Sequence, residues 1–265
     1  MKIIALHRKH EHANTWLGAF KSGLKRHSQR AIWTNRFEQC DLAVFWGISQ
    51  RELIARYAES GTPYLILECG FVGGRFDFAS AGYGGLNGRA DFRNARSPGD
   101  RWKALGQPMA PWRPKGGDYV LIMGQVQGDQ SIRGIDIRNW YAETAKYLTG
   151  RGLAVAFRPH PKGSGQDCPK GAELLLGDLS GALSRASCVV TYNSNAGVDA
   201  VLAGVPVIAV DAGSMALSVA GLSLYGVTDP PRPDRAQWAH NLAYAQWRES
   251  EFRSGLVWEH LNRRN

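Results

Sequence analysis

The sequence lacks most of the features that assign a protein to a class at once. Its 265 residues include only four cysteines, and none of them forms a C-x-x-C pair or lies near a histidine at metal-ligand spacing. No apolar run approaches the roughly 18 residues that a transmembrane helix needs. The opening MKIIALHRKHEH reaches charged residues too soon for a signal peptide. These absences predict a globular protein of a reducing, cytoplasmic compartment, with no membrane insertion and no metal site.

The common nucleotide-binding motifs are also absent. There is no G-x-x-x-x-G-K-[ST] sequence, and GYGGLNG at residues 82–88 does not fit G-x-G-x-x-G. A serine-hydrolase elbow would need glycines two residues before and two residues after Ser194, where Tyr192 and Ala196 stand instead. Any nucleotide site must therefore be built from other residues.

Acidic residues are scarce in the first half of the chain. The whole sequence has 32 Lys and Arg against 23 Asp and Glu, which gives a formal net charge of +9. Residues 1–115 contain 18 basic and 9 acidic residues, whereas residues 116–265 contain 14 of each. Basic side chains commonly form a solvated surface, but an excess confined to one half indicates that this half binds an anionic partner.

Strand and helix patterns alternate through both halves of the chain. Short apolar runs that suit buried strands occur at residues 2–7, 30–34, 41–47 and 63–69, and again at 118–124, 153–161, 172–177 and 188–192. Stretches with helical periodicity separate them, which predicts parallel sheets covered on both faces. The glycine-rich segment at 70–89 predicts a loop of the kind that shapes binding sites.

We therefore predict an α/β protein with two Rossmann-like domains that face a cleft. A Pro/Gly-rich stretch at 107–117 marks the boundary between a domain over residues 1–115 and a domain over residues 116–230. Residues 231–265 have the pattern of amphipathic helices that pack back on the rest. Ligands of such sheets bind beyond the carboxyl ends of the strands, so polar residues there are the candidates for a site.

Polar residues cluster where the predicted strand at 188–192 passes into a helix. Asn193, Ser194 and Asn195 lie at the start of that helix, where backbone N–H groups and the helix dipole favour a phosphate. Asp199 follows one turn later, where a carboxylate suits the hydroxyls of a ribose. In the alternative interpretation, Asn193 or Ser194 only caps the helix and Asp199 is an ordinary surface charge.

Two other strand ends also contain candidate residues. The sequence RPHP at 158–161 fixes His160 in a turn, because prolines flank it on both sides. His160 and Arg158 would suit phosphate oxygens, although a single histidine is more often a packed or surface residue. In MGQVQG at 123–128, Gly124 would allow a ligand to approach the backbone and Gln125 would reach it, unless this segment is an ordinary turn.

The sequence RPHP, followed by a strand and by YNSNAGVDAVLAGVPVIAVD at 192–211, resembles the donor-binding half of GT-B glycosyltransferases. The resemblance is closest to the bacterial capsule-polysaccharide type, with its Kdo transferases and phage-encoded relatives. It implies a GT-B-like fold in which residues 1–115 bind an acceptor and residues 116–230 bind a UDP-sugar or CMP-sugar, without a metal. His160, Ser194 and Asn195 would then bind the donor phosphate, and Asp199 would lie close to the nucleotide.

The sequence ECGFVGGR at 68–75 resembles the E-D-G-F segment of the acceptor half of that family. The resemblance implies a carboxylate at the reacting centre, which acts as a general base or, if configuration is retained, as a nucleophile. Glu68 is the first candidate for this carboxylate, and Asp77 and Asp91 are the others. Cys69 stands where the family has its second acid.

The positive charge of the first half, which the resemblance makes the acceptor half, favours an anionic acceptor. Duplex DNA with hydroxymethylated or otherwise modified bases is the first hypothesis, since it suits this charge and the phage relatives, and the protein would then act in the host cytoplasm. Aromatic residues that could stack on an extruded base, if they are not core residues, are Phe71, Phe76, Phe78 and Tyr83. The alternatives are a capsule or lipopolysaccharide acceptor, and a non-catalytic nucleic-acid-binding protein.

Overall fold

The computed structural model describes residues 1–163 and 165–263. The strands are β1 (Ile3–His7), β2 (Arg30–Thr34), β3 (Leu42–Trp46), β4 (Tyr64–Cys69), β5 (Ala79–Tyr83), β6 (Tyr119–Met123), β7 (Val155–Arg158), β8 (Glu173–Leu174), β9 (Ala186–Thr191), β10 (Val207–Ala209) and β11 (Gln246–Trp247). The α-helices are α1 (Glu11–Arg26), α2 (Arg51–Glu59), α3 (Asp100–Leu105), α4 (Ile137–Gly150), α5 (Leu179–Ser184), α6 (Ala196–Leu202), α7 (Ala236–Ala243), α8 (Glu249–Ser254) and α9 (Leu256–Leu261).

These elements form two compact units, each with its own sheet. Unit 1 consists of Met1–Gln107 and Ala236–Asn265, and unit 2 consists of Pro108–Arg235. The sequence pattern placed the corresponding boundaries after residues 115 and 230. In the structure, the C-terminal segment is therefore part of the same unit as the first hundred residues.

The sheet of unit 1 has the strand order β11-β5-β4-β3-β1-β2. Strands β1 to β4 run parallel, whereas β5 and β11 extend the sheet in an antiparallel arrangement. Helix α1 covers one face with apolar residues at helical spacing, and the C-terminal helices pack on it. The ring of Phe252 in α8 lies 5.5 Å from Trp16, and the ring of Trp258 in α9 lies 6.3 Å from Phe20.

The sheet of unit 2 is wholly parallel, with the order β10-β9-β6-β7-β8. If these strands are numbered 1 to 5 along the chain from β6, their order read from the β8 edge is 3-2-1-4-5, as in Rossmann-like folds. The order reverses between β6 and β9. The strands are short and rich in Val, Ile and Ala, as expected for a sheet buried on both faces. The predicted α/β fold with two Rossmann-like halves is thus confirmed.

Some elements differ from the sequence prediction. The segment at 70–89, predicted to be a loop, contains β5, whose small residues gave no strand pattern. Trp247, predicted on a helix, lies in β11. Helix α1 begins at Glu11, with His10 as the N-cap. The His10 Nδ1 atom accepts the hydrogen bond from the Ala13 N–H. Histidine is not among the residues that usually cap helices, so this cap could not be expected from the sequence.

No helix in the described part of the chain has the length and apolar character that crossing a membrane requires. All four cysteines are free thiols. Cys188 is buried and the other three are half-buried, so they pack as small apolar side chains.

Candidate functional site

The polar candidates of unit 2 lie at the carboxyl edge of its sheet. Met123 at the end of β6 pairs with Arg158 at the end of β7, and Ile122 pairs with Val190 near the end of β9. The segments that follow these three strands therefore leave the sheet side by side, next to the point where the strand order reverses. This is the place where ligands bind in open α/β sheets.

Gln125 and Asn193 form a buried pair that joins the ends of β6 and β9. The Gln125 Nε2 atom donates to Asn193 Oδ1 at 2.8 Å, and the Asn193 backbone N–H donates to Gln125 Oε1 at 3.1 Å. Asn193 Nδ2 also donates to the Ser131 carbonyl at 2.9 Å and to Asp211 Oδ1 at 2.7 Å. Both side chains, which we expected to contact a ligand, are thus engaged within the protein and fix the turn that follows β9.

Gly124 has a packing role that the sequence did not reveal. A Cβ atom at this position would lie 2.9 Å from Pro159 Cα and 3.0 Å from both the Arg158 carbonyl oxygen and the His160 nitrogen. The Gly124 N–H donates to the Arg158 carbonyl at 2.8 Å. The missing side chain therefore lets the Arg158–His160 turn pack directly on the end of β6, which sets the position of His160.

His160 and Arg158 present donors at this edge. His160 Nδ1 accepts a hydrogen bond from the Lys162 N–H at 3.0 Å, so the neutral imidazole holds its proton on Nε2 and donates from that atom. Arg158 Nη2 donates to the Gly177 carbonyl at 3.0 Å. Its buried Nε atom has no hydrogen-bond partner within the described residues, which leaves one donor of a permanent cation unused.

Ser194, Asn195 and Asp199 are half-buried at the start of α6. The Ser194 N–H donates to Thr191 Oγ1 at 2.9 Å, and Ser194 Oγ accepts from the Ala196 N–H at 3.2 Å. The N-cap of α6 is Asn195, which makes no side-chain capping bond, so neither Asn193 nor Ser194 is the cap of the alternative interpretation. The hydroxyl proton of Ser194 remains a donor for a ligand. Asp199 lies one helical turn beyond Asn195, on α6 itself.

In unit 1, Glu68 lies near the carboxyl end of β4. Its Oε1 atom accepts a hydrogen bond from the Cys69 N–H at 2.9 Å. Lys9, two residues beyond β1, reaches across the sheet edge and donates from Nζ to the Trp46 carbonyl at 3.1 Å. Burial lowers the pKa of Lys9, and the negative charge of Glu68 partly offsets this effect. The sequence analysis missed Lys9, although RKH directly after the first strand was a signal that pointed to this edge.

Cys69 does not substitute for the missing second acid. Burial raises the pKa of its thiol to about 11, the charge of Glu68 adds to this effect, and Arg75 opposes it. The thiol is therefore protonated at neutral pH and cannot act as a base.

The two alternative carboxylates lie in different places. Asp77 is exposed on the loop between β4 and β5, which leaves the sheet at the same edge as Glu68. Asp91 pairs through its backbone with Tyr83, which lies opposite Leu65 at the start of β4, about 10 Å along the strand from Glu68. The Asp91 carboxylate forms an ion pair with Arg93 at 3.1 Å. The structure therefore brings Asp77, but not Asp91, to the edge where Glu68 lies.

The aromatic residues predicted to stack on a base have different environments. Phe71 and Phe78 are buried in the core, and Tyr83 is half-buried, where burial raises the pKa of its phenol. The side chain of Phe76 is 69% exposed. Of these four residues, Phe76 is the one that presents its ring to solvent.

The reversal point of the unit 1 sheet lies between β1 and β3 and is filled by rings. His7 at the end of β1 stacks on Phe45 with the ring centroids 4.3 Å apart, and His7 Nε2 lies 3.1 Å from the Tyr57 hydroxyl. Burial lowers the pKa of His7 to about 4, against the opposing charge of Glu38. This histidine is neutral at physiological pH and has a packing role.

No group of three His, Cys, Asp or Glu side chains within residues 1–163 and 165–263 is arranged to hold a metal ion. The expected independence from metal stays a prediction.

By its fold, the chain is a protein of two Rossmann-like α/β units. The solved structure of Thermosulfurimonas dismutans KpsC, beta Kdo 2,4 transferase, is similar with a TM-score of 0.58 and 15% identity, over 91% of this chain and 89% of that one. The beta Kdo 2,7 transferase of the same KpsC is similar with a TM-score of 0.50 and 15% identity, over 98% of both chains. No family model and no curated protein sequence matches. These likenesses support the type of fold that the sequence motifs predicted, and they add no support for phage relatives.

Proposed function

We propose that this chain is a glycosyltransferase that moves a sugar from a nucleotide-sugar donor to a hydroxyl acceptor. The observation that carries the proposal is the gathering of Arg158, His160 and Ser194 at the carboxyl edge of a Rossmann-like sheet, beside its reversal point. The names of the two similar structures, both Kdo transferases, support the same activity.

In this proposal, unit 2 binds a UDP-sugar or a CMP-sugar. The guanidinium of Arg158, the Nε2–H of His160 and the Ser194 hydroxyl bind the phosphate oxygens. Asn195 adds a side-chain amide, and Asp199 accepts hydrogen bonds from the ribose hydroxyls. Gly124, Gln125 and Asn193 contribute by holding the two turns in place.

The reaction needs both negative-charge stabilisation and a proton acceptor. The acceptor oxygen forms a bond to the anomeric carbon, while the bond from that carbon to the phosphate oxygen breaks and the nucleotide leaves with the electron pair. Arg158 and His160 stabilise the charge that develops on the leaving phosphate. Glu68 of unit 1 accepts the proton of the attacking hydroxyl, or acts as the nucleophile if configuration is retained.

The acceptor that we propose is anionic, because the two units differ in charge. Unit 1 contains 20 Lys and Arg against 12 Asp and Glu, whereas unit 2 contains 12 against 11. An acidic glycan of capsule or lipopolysaccharide type is the first candidate, since it agrees with the names of the similar structures. Duplex DNA with modified bases is the second candidate and is supported by the positive charge of unit 1.

Thermal unfolding with a panel of nucleotide-sugars tests the donor site. A ligand present at 100 times its Kd adds about 2.7 kcal/mol to the stability of the native state, so the correct donor raises Tm. The variants Arg158→Met and His160→Ala should reduce this rise. Lys170→Met, which removes a charge from an exposed site of the same unit, should not. A panel in which no nucleotide-sugar or nucleotide raises Tm would contradict the proposal.

Mass spectrometry after incubation with donor tests the acceptor. An acidic oligosaccharide that gains the mass of one sugar supports the first candidate, and hydroxymethylated duplex DNA that does so supports the second. In both cases Glu68→Gln should lower the rate by roughly 10²- to 10⁴-fold. DNA binding that weakens steeply with salt, without transfer to any acceptor, would instead indicate a non-catalytic nucleic-acid-binding protein.

A further inference from the structure

Unit 1 presents an exposed aromatic ring that the donor site does not use. Phe76 lies in the loop between β4 and β5, and its side chain is held in place despite its exposure. The ring of His12, in the first turn of α1, lies 6.3 Å from the Phe76 ring and 5.2 Å from the ring of Trp46, edge-on in both cases. Phe76 therefore rests on His12, which rests on the buried Trp46 at the end of β3.

The base of the loop that bears Phe76 is fixed by the C-terminal segment. Buried Gln246 accepts hydrogen bonds at Oε1 from the Phe71 N–H at 2.6 Å and the Val72 N–H at 3.0 Å. Its Nε2 atom donates to the Val72 carbonyl at 2.8 Å. A loop held in this way loses less conformational entropy when a ligand binds, so its tip is suited to recognition.

Charged groups lie at the same edge as these rings. Lys9, three residues before His12, donates to the carbonyl of Trp46, the residue whose ring supports His12. The carboxylate of Glu68 is near enough to affect the pKa of Lys9. An apolar ring face with a few positioned polar groups beside it is the general composition of small-molecule sites.

We propose that Phe76, His12, Lys9 and Glu68 form a pyranose-binding site in unit 1. Phe76 stacks against the C–H face of the sugar ring, Glu68 accepts hydrogen bonds from its hydroxyls, and Lys9 favours a sugar that bears a carboxylate. This assignment rests on the proposed function, in which the bound sugar is the acceptor, and it makes Phe76 and Lys9 the residues that determine acceptor specificity.

A nucleic-acid base is a poorer occupant of this site. His12 meets Phe76 at an interplanar angle of 84°, so the two rings do not form a slot with parallel walls for a flat base. The carboxylate of Glu68, at the same sheet edge, is a good acceptor for sugar hydroxyls.

Saturation-transfer difference NMR on the intact chain tests the site, with methyl β-glucopyranoside and its uronate counterpart as probes. Both sugars should show transfer, and the uronate should bind more tightly. Phe76→Ala should weaken both by roughly fivefold, as expected for the loss of one ring stack. Tyr225→Ala, which removes an 80% exposed ring from unit 2, should leave both unchanged.

A second pair of variants distinguishes the contribution of the Lys9 charge to sugar binding from that of the Phe76 ring. Lys9→Met should remove the preference for the uronate and leave glucoside binding nearly unchanged, whereas Lys25→Met, at the other end of α1, should change neither. The inference is overturned if neither sugar binds the wild-type chain, or if Phe76→Ala has no effect. It is also overturned if a duplex oligonucleotide displaces the sugars in a manner that depends on Phe76.

Nucleotide-sugar binding, measured by Tm on the same variants, distinguishes this inference from the proposed function. If sugars fail to bind but the donor still raises Tm, the pyranose site alone is wrong. If no nucleotide-sugar raises Tm but sugar binding depends on Phe76, the site stands as a saccharide-binding site and the transferase proposal fails.

Discussion

Each unit has a sheet whose strand order reverses at one point, but different kinds of side chain fill the two reversal points. In unit 1, His7 packs among the rings of Phe45 and Tyr57, and its imidazole is neutral. In unit 2, Gln125 and Asn193 occupy the corresponding place and form hydrogen bonds to each other. Topology alone therefore does not make a polar site. The amide pair leaves a polar edge around Arg158 and His160, whereas in unit 1 the candidate residues lie farther along the edge, at Lys9 and Glu68.

The two units also differ in the number of chain segments that form them. Unit 2 is one segment of the chain, whereas unit 1 is assembled from two segments. Polar contacts within unit 1 join these segments. Arg101 of α3 forms an ion pair with Glu251 of α8 and donates to the carbonyls of Ala243 and Gln246. Its guanidinium also lies 4.0 Å from the centroid of the Trp247 ring.

The largest effect is expected from breaking this junction of unit 1. Arg101→Met leaves the Glu251 carboxylate with only the hydrogen bond from the Arg248 N–H and removes the donors to the carbonyls of Ala243 and Gln246. It should lower the free energy of unfolding by about 4 kcal/mol. Urea titration measures the loss. Arg51→Met, at an exposed site of α2, should change stability by less than about 0.5 kcal/mol. Equal effects of the two variants would show that the ion pair does not hold the C-terminal segment.

The buried imidazole of His7, at the reversal point of the unit 1 sheet, predicts that the free energy of unfolding depends on pH. The pKa of His7 is lowered from 6.5 to about 4 in the folded chain, so the unfolded chain binds more protons between these values. Stability should therefore fall as the pH falls from 6.5 to about 4, by about 3 kcal/mol in total.

Unfolding at a series of pH values tests this, and His7→Gln should flatten the slope. Burial also lowers the pKa of His260, so part of the slope should remain. A slope that His7→Gln leaves intact would contradict the assignment.

The amide pair of unit 2 should be the next most sensitive feature. Asn193→Ala leaves the buried Nε2 atom of Gln125 without its acceptor and removes the amide that donates to Ser131 and Asp211. The change should cost about 2 to 3 kcal/mol, as measured by urea unfolding. Asn35→Ala, at an exposed asparagine of unit 1, serves as the control. If Asn193→Ala costs no more than the control, the pair does not fix the turn after β9.

The smallest change in stability is expected when Gly124 and Gly18 are each replaced by alanine. Gly124→Ala places a Cβ atom 2.9 Å from Pro159 Cα and should cost about 1 to 2 kcal/mol through overpacking, with weaker nucleotide binding because His160 moves. Gly18→Ala lies in α1 with nothing within 4 Å of the new atom and should stabilise the chain by about 0.5 to 1 kcal/mol. Changes of the same sign in Tm would contradict the close packing at Gly124.

The sequence predicted most of the parallel strands, because they are short apolar runs. It also predicted which strand ends of unit 2 bear polar residues, since Arg158, His160 and Ser194 directly follow such runs. The prediction missed β5 and β11, because their residues pair with distant parts of the chain and have no strong local pattern. Non-local pairing of this kind overrides residue preference.

The sequence did not predict which side chains contact each other. Gln125 and Asn193 are polar residues at strand ends, and their pairing depends on the adjacency of β6 and β9, which are more than sixty residues apart. Lys9 was missed for the same reason, since Trp46, which accepts its hydrogen bond, and Glu68, whose charge affects its pKa, belong to two other strands. Gly124 was assigned to ligand approach, whereas its closest neighbour is the backbone of Pro159.

The split of unit 1 around unit 2 has a consequence for biosynthesis. During translation the whole of Pro108–Arg235 is made before Ala236, so unit 2 has its complete sequence while unit 1 still lacks α7, β11, α8 and α9. Until Gln246 emerges from the ribosome, the loop that bears Phe76 has no side chain to hold its amide groups. The nascent protein should therefore complete unit 2 first and expose the surface of α1 until α8 and α9 have been made.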